Sequence, residues 1–128
     1  MRLLLDTHIW IWLLQNPKLL ASNTLRILSD PGNELWLSPV STWEALTLSR
    51  KGRVDLPFDL DSWLSQATQG MQQAHLTHEI ALASARLQMH GDPADRLLVA
   101  TAEVLDLTLV TADRKLLGLG NIRTMANR

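Results

Sequence analysis

The sequence predicts an α/β fold in which helices cover both faces of a parallel sheet. Two observations carry that expectation. Short apolar runs such as "RLLL" and "LTLVT" read as strands buried on both faces. Between such runs lie segments with apolar residues at helical spacing and recognisable starts and stops, so strands alternate with helices along the chain. In folds of this kind, sites form beyond the carboxyl ends of the strands, where strand order reverses. That rule points to Asp6, Ser38 and the segment from Thr111 to Asp113.

Arg2 to Leu5 is the first strand, ended by Asp6. His8 to Gln15 is a short helix stopped by Asn16-Pro17, since proline cannot extend the hydrogen-bond ladder. A second helix runs from about Ser22 to Ser29 and gives way to the turn "DPGN"; "ELWLS" is the next strand. Ser38 then offers an N-cap, Pro39 the first helical position and Gly52 the stop, which frames a helix from Pro39 to Lys51. "VDLPF" is a connector, Leu60 to Gln69 a helix and "MQQAHL" a weak strand. Thr77 caps a helix through Leu87, with Ile80, Ala83, Ser84 and Leu87 on one stripe. Asp92-Pro93 opens the next helix, to about Leu105; "LTLVT" is a buried strand and "NIRTM" a short final one.

Composition narrows the function. A chain of 128 residues fits a single domain, residues 1–128, and buries enough surface to need no staples. The absence of cysteine excludes disulfides and thiolate metal sites and fits a reducing cytoplasm. Asp6 interrupts the apolar start before a signal sequence could form, and no run approaches the ~20 apolar residues of a membrane span. A soluble, cytoplasmic protein with no membrane role is expected. The formal net charge is −1, so nucleic-acid binding would have to rest on a local site and not on a global field.

Four acids stand out. Asp6 is either the N-cap of the helix that follows or a carboxylate at the edge of the sheet. Glu44 lies one turn from both Val40 and Leu48, inside an apolar stripe where an unpaired carboxylate is expensive. A salt bridge to Arg50 or Lys51, or a half-buried stripe, would explain it without function. In "HGDPADRLLVATA", Asp92 is the natural N-cap and needs no further role. Asp95 falls at the third helical position, where the helix dipole favours an acid and would keep it ionised, as a metal ligand must be. Asp113 follows "LVTA", either as a loop acid that starts a helix or as a further edge carboxylate. Taken together, these carboxylates would repel one another strongly without cations, and all-oxygen ligands suit Mg²⁺ or Mn²⁺. Such a cluster is a template for metal-assisted phosphodiester hydrolysis.

Other chemistry is poorly supported. His8, His75, His78 and His90 share no ligand spacing, and only His8 is near an acid of the set. There is no G-x-S-x-G nucleophile, P-loop or G-x-G-x-x-G. A phosphoaspartyl hydrolase would show D-x-D after the first strand, where this chain has Asp6-Thr7-His8. Trp10 and Trp12, two apart on one short helix, cannot both face inward fully. A buried contact outside the monomer is therefore expected on this helix.

The segments "LLLDTHIWIW", "SPVSTWEAL", "HGDPADRLLVATA" and "LVTADRKL" resemble, in order, the four motifs of PIN-domain ribonucleases, most closely the VapC-type toxins of bacterial toxin–antitoxin pairs. The resemblance spans nearly the whole chain. It implies a three-layer α/β/α sandwich with a central parallel sheet, and a Mg²⁺-dependent endoribonuclease that leaves 5′-phosphate and 3′-hydroxyl ends. It places the family's acids on Asp6, Glu44, Asp95 and Asp113, with Asp113 the least constant, and polar helpers on Thr7, Ser41 and Thr111. It also implies a homodimer inhibited by a small cognate antitoxin. Because the chain is nearly neutral, Arg50, Lys51, Arg53, Arg96 and Arg114 are expected to supply local contacts to RNA phosphates. The competing expectations are a DNase or structure-specific nuclease of the same fold, and a non-catalytic RNA- or protein-binding module whose acids are structural.

Overall fold

A computed structural model describes residues 1–89 and 91–128; His90 lies outside the described residues. The elements are β1 (Arg2–Leu5), α1 (Thr7–Gln15), a 3-10 turn (Pro17–Leu19), α2 (Ser22–Ser29), β2 (Glu34–Leu37) and α3 (Pro39–Arg50). They continue with α4 (Leu60–Ala67), β3 (Gln72–Gln73), α5 (His78–Arg86), α6 (Pro93–Leu105), β4 (Thr108–Thr111), α7 (Arg114–Leu117) and β5 (Thr124–Ala126). Among the described residues the strands form one parallel sheet in the order β3-β2-β1-β4-β5. None of the described helices is long and apolar enough to cross a membrane.

The apolar run of β1 sits at the centre of the sheet and faces both ways. Leu3 and Leu5 pack with Ile9 and Trp10 of α1, Leu28 of α2, Ala45 of α3 and Ala67 of α4. Leu4, pointing to the opposite face, packs with Val99 and Ala102 of α6 and Leu116 of α7. These three leucines are fully buried, each worth about 1.5–3 kcal/mol relative to exposure. Such a run is therefore unsuited to any position but a central strand. The result is the expected α/β/α sandwich.

The chain goes from β1 to β2 on one side and later returns to β4 on the other, so strand order reverses between β1 and β4. The Asp6 backbone N–H continues that pairing by donating to Val110 O at 3.0 Å. Asp6 is thereby fixed in the crevice beyond the strand ends. A second small cluster, Val40 of α3 with Ala94 and Leu98 of α6, ties these two helices together and brings Glu44 toward the start of α6.

Helix boundaries follow the punctuation. Ser38 Oγ accepts from the Val40 N–H at 3.0 Å and Thr77 Oγ1 from the Ile80 N–H at 3.2 Å. Gly52, at φ 73°, ends α3: its N–H donates to Ser49 O, and the next N–H, of Arg53, reaches back to Leu48 O. α4 stops at Ala67 instead of Gln69, where the chain leaves the helical ladder and passes through Gly70 at φ 79°. The weak strand shrinks to Gln72–Gln73, and the final strand begins at Thr124 and not at Asn121. Asn121 is held instead by its side chain, which donates to Glu103 Oε2 at 3.1 Å.

The tryptophan pair divides as the spacing requires. Trp10 is fully buried, its indole N–H donates to Ala67 O at 3.0 Å, and its ring tilts against Trp63. Trp12 is half-buried and rests partly on the core, beside His8. The largest exposed apolar side chains lie elsewhere, on Phe58, Trp43 and Leu82 among others.

Candidate active site

Each acid reaches the crevice through a local structural rule. Asp6 follows β1 in extended conformation and caps α1; its Oδ1 accepts from the Thr7 N–H at 2.8 Å. Its Oδ2 accepts from the Thr111 hydroxyl at 2.6 Å, across the β1–β4 crevice. Thr111 Oγ1 in turn accepts from the Asp113 N–H at 3.0 Å, so one hydroxyl orders two acids. Asp113 caps the single-turn α7 by accepting from the Lys115 N–H at 2.8 Å. Both the capping and the edge reading of these acids are therefore realised in the same side chains.

Glu44, on α3, is half-buried and hydrogen-bonded to the Thr7 hydroxyl, which stands 3.0 Å from Ser41 Oγ. Thr7 has one hydroxyl proton; directed at the carboxylate, it leaves the Thr7 oxygen to accept from Ser41. Neither Arg50 nor Lys51 pairs with Glu44. Among the described residues the salt bridges are Arg2–Glu34 and Arg123–Asp106, both at the surface. Asp95 enters from the first turn of α6, with its backbone N–H donating to Asp92 Oδ1 at 2.8 Å. α6 follows α5 and not a strand, so Asp95 is carried to the sheet edge by helix packing and not by a strand-to-helix junction.

Asp6, Glu44, Asp92, Asp95 and Asp113 line one cavity of about 360 Å³, together with His8, Trp12 and Ala112. Asp92 was assigned only the cap from the sequence; it does cap, and it also faces the cavity. His8, which the sequence put merely near an acid, is part of the wall.

Burial raises the pKa of Asp95, Asp6 and Glu44, and neighbouring carboxylates add to each rise. Burial lifts Asp95 to about 7, reinforced by the charges of Asp92, Asp6, Glu44 and Asp113. The helix dipole, expected to keep Asp95 ionised, is outweighed by this desolvation and like-charge repulsion. Asp6 is raised by burial, opposed by the hydrogen bonds from Thr111 and Thr7 and by His8. Glu44 is raised by burial, with Thr7 opposing and Asp6 and Asp92 adding to the rise.

The residues expected to touch phosphates are scattered. The Arg96 guanidinium is committed to the backbone, donating to Met89 O at 2.7 Å, Ser84 O at 2.8 Å and Leu87 O at 3.4 Å. It locks the α5–α6 connection and is not a free phosphate contact. Lys51 and Arg53 lie past the far end of α3, where Lys51 is ~10 Å along the axis from Glu44 at 1.5 Å per residue, and neither lines the cavity. Arg50 shares that end. Arg114 is exposed beside Asp113. Lys115, passed over as a phosphate contact, lines an adjoining cavity of about 420 Å³ that shares Asp92, Asp95 and Asp113 with the first.

The donor set suits a hard divalent cation: it is built of carboxylate oxygens, crowded enough to repel, and held by neutral hydroxyl and amide donors that leave the negative charge uncompensated. No three His, Asp or Glu side chains among the described residues are already drawn into a ligand cluster. The acids stand instead around the cavity wall, as mutual repulsion favours.

The PIN domain family matches residues 3–121. The chain is 32% identical over 115 residues to Ribonuclease VapC22 of Mycobacterium tuberculosis, covering 88% of each chain. In structure it resembles VapBC2 from Rickettsia felis bound to a promoter DNA fragment (TM-score 0.75, 18% identity, 98% of each chain covered). It also resembles VapBC-1 from nontypeable Haemophilus influenzae (TM-score 0.73, 18% identity, 98% of each chain). These two structural likenesses concern the fold.

Proposed function

The chain belongs to the PIN-domain family, and from that premise we propose that it is a VapC-type toxin, a metal-dependent endoribonuclease held in check by a cognate antitoxin. One observation carries the reading beyond membership. Five carboxylates ring one cavity at the strand-order reversal, and none is paired with lysine or arginine among the described residues. Uncompensated charge is costly, so an arrangement that keeps it is built to receive cations.

Asp6, Glu44, Asp95 and Asp113 are the residues that would hold Mg²⁺, or Mn²⁺ in its place, and Asp92 adds charge beside them. When bound, the ion supplies positive charge for the phosphodiester and lowers the pKa of water. The chain's own residues do the positioning. Thr111 fixes the Asp6 carboxylate and the turn carrying Asp113, while Thr7, backed by Ser41, fixes Glu44. Arg114 and Lys115, next to the acids, contact phosphates flanking the scissile bond. Lys51 and Arg53 contact RNA at a greater distance from it.

We assign residues 1–128 to one domain, acting in the cytoplasm as a homodimer. Exposed Trp43, Phe58 and Leu60 support contacts with a second protein chain. The products are 5′-phosphate and 3′-hydroxyl ends.

The test is cleavage of single-stranded RNA by the purified, antitoxin-free protein with Mg²⁺ or Mn²⁺ and with a chelator. Cleavage is expected to require the ion and to fall by about 100-fold or more in Asp6→Asn, the scale of losing one charge-stabilising group. Undiminished cleavage in the chelator, or by Asp6→Asn, would overturn the reading. Cleavage of DNA alone would favour the DNase alternative.

A further inference from the structure

We propose that Trp12, backed by His8, is a stacking platform for an unpaired RNA base next to the scissile phosphate; this rests on the ribonuclease reading above. The catalytic cavity has five carboxylate walls and one aromatic wall, made of these two residues. A wall of carboxylates repels a nucleic-acid backbone, so beside the cations and the flanking Arg114 and Lys115, a group that binds the neutral part of the nucleotide adds attraction at the rim. The flat face of a base supplies that part, and aromatic rings bind it with little regard to sequence.

The two rings are set for this. Their centroids are 6.0 Å apart with planes tilted by 56°, so His8 leans against the indole without stacking face to face on it. Trp12 is half-buried and His8 exposed, whereas Trp10 on the same helix is wholly buried. The buried Trp10 indole N–H donates to Ala67 O and that of Trp36 to Glu34; that of Trp12, like those of Trp43 and Trp63, has no partner among the described residues. The Trp12 side chain is therefore fixed at its base by the core and open at its polar edge. A base reaches the face of an aromatic ring beside a cavity of about 360 Å³ only when it is splayed out of its stack, which requires it to be unpaired.

The experiment pairs a protein change with a substrate change. Short single-stranded RNAs carrying the cleavage site are made intact and with single abasic positions on either side of the scissile bond. They are cut by the free wild-type protein, Trp12→Ala and Trp12→Phe, with thermal melts run alongside. Wild type is expected to lose about 10-fold in kcat/KM when one flanking base is removed, the scale of one base–aromatic stack. Trp12→Ala is expected to lose a similar factor on intact RNA and nothing further on the abasic one, while Trp12→Phe keeps most of the activity. An equal abasic penalty in wild type and Trp12→Ala overturns the proposal, whether or not the variant is slower or less stable. So does normal cleavage by Trp12→Ala with a loss only in antitoxin binding. Failure of wild type to cut any RNA would instead refute the ribonuclease reading itself.

Discussion

Replacing Asp95 with asparagine should stabilise the metal-free protein while disabling it. The Asp95 carboxyl is raised from 3.8 to about 7 by burial and by Asp92, Asp6, Glu44 and Asp113. At about 1.4 kcal/mol per pH unit, this sets a ceiling of roughly 4 kcal/mol for the penalty of ionising Asp95 in the folded state. The side chain is only half-buried, and solvent screening reduces the figure to about 1–2 kcal/mol. The sign follows from proton linkage. Between pH 3.8 and about 7 the folded state holds a proton that the unfolded state has released, so stability falls as pH rises through that window. In a chelating buffer the wild type and Asp95→Asn should therefore melt alike near pH 4. By pH 8 the variant should melt about 3–8 °C higher. Addition of Mg²⁺ should raise the wild-type melting temperature and narrow the gap, because binding to the folded state alone stabilises it. A variant that melts at or below wild type at pH 8, or one with an unchanged pH slope, would refute the claim that repulsion dominates this site.

Two further substitutions test the supports. Arg96→Ala should destabilise the protein by about 2–3 kcal/mol, because three carbonyls of the α5–α6 connection lose a charged donor. Chemical denaturation measures it, and a phosphate-contacting Arg96 would instead weaken RNA binding with stability intact. Thr111→Val preserves shape but removes the donor to Asp6 Oδ2 and the acceptor of the Asp113 N–H. It should raise the Asp6 pKa further and weaken Mn²⁺ binding about 10-fold or more, read by calorimetry; unchanged affinity would show that Thr111 only packs.

The fold was legible wherever local chemistry and global packing agree. The "LLL" of β1 had no solvent-facing alternative, and the Ser38-Pro39 and Gly52 signals act through one or two residues of backbone. Boundaries slipped at element ends. α4 closes early, ahead of Gly70 at φ 79°, and Asn121 is tied by its side chain to Glu103 and lies outside β5. Neither feature leaves a periodic trace in sequence. Arg96, expected at a phosphate, is instead committed to the backbone: it looks like any arginine in a first helical turn until three carbonyls are seen to converge on it.

The site shows where local reading stops. At the start of α6, the sequence supports two separate statements: Asp92 caps, and Asp95 sits where the dipole keeps an acid charged. Each uses only the helix that carries the residue. What decides the chemistry is the distance to Asp6, Glu44 and Asp113, which belong to other elements: Glu44 arrives through the α3–α6 contact of Val40, Ala94 and Leu98, and Asp6 and Asp113 from the ends of β1 and β4. A dipole effect of about 1–2 kcal/mol at a partly buried helix start is opposed by burial together with four like charges, and the carboxyl is raised. Asp92, by the same crowding, cannot be only a cap, since its charge acts on both Asp95 and Glu44. The helix start thus does two things at once: it closes α6 and it adds negative charge to the cavity. A cation at the site would favour the ionised form of each of these carboxylates, offsetting the burial and repulsion that raise Asp95 and coupling its charge to binding of the ion.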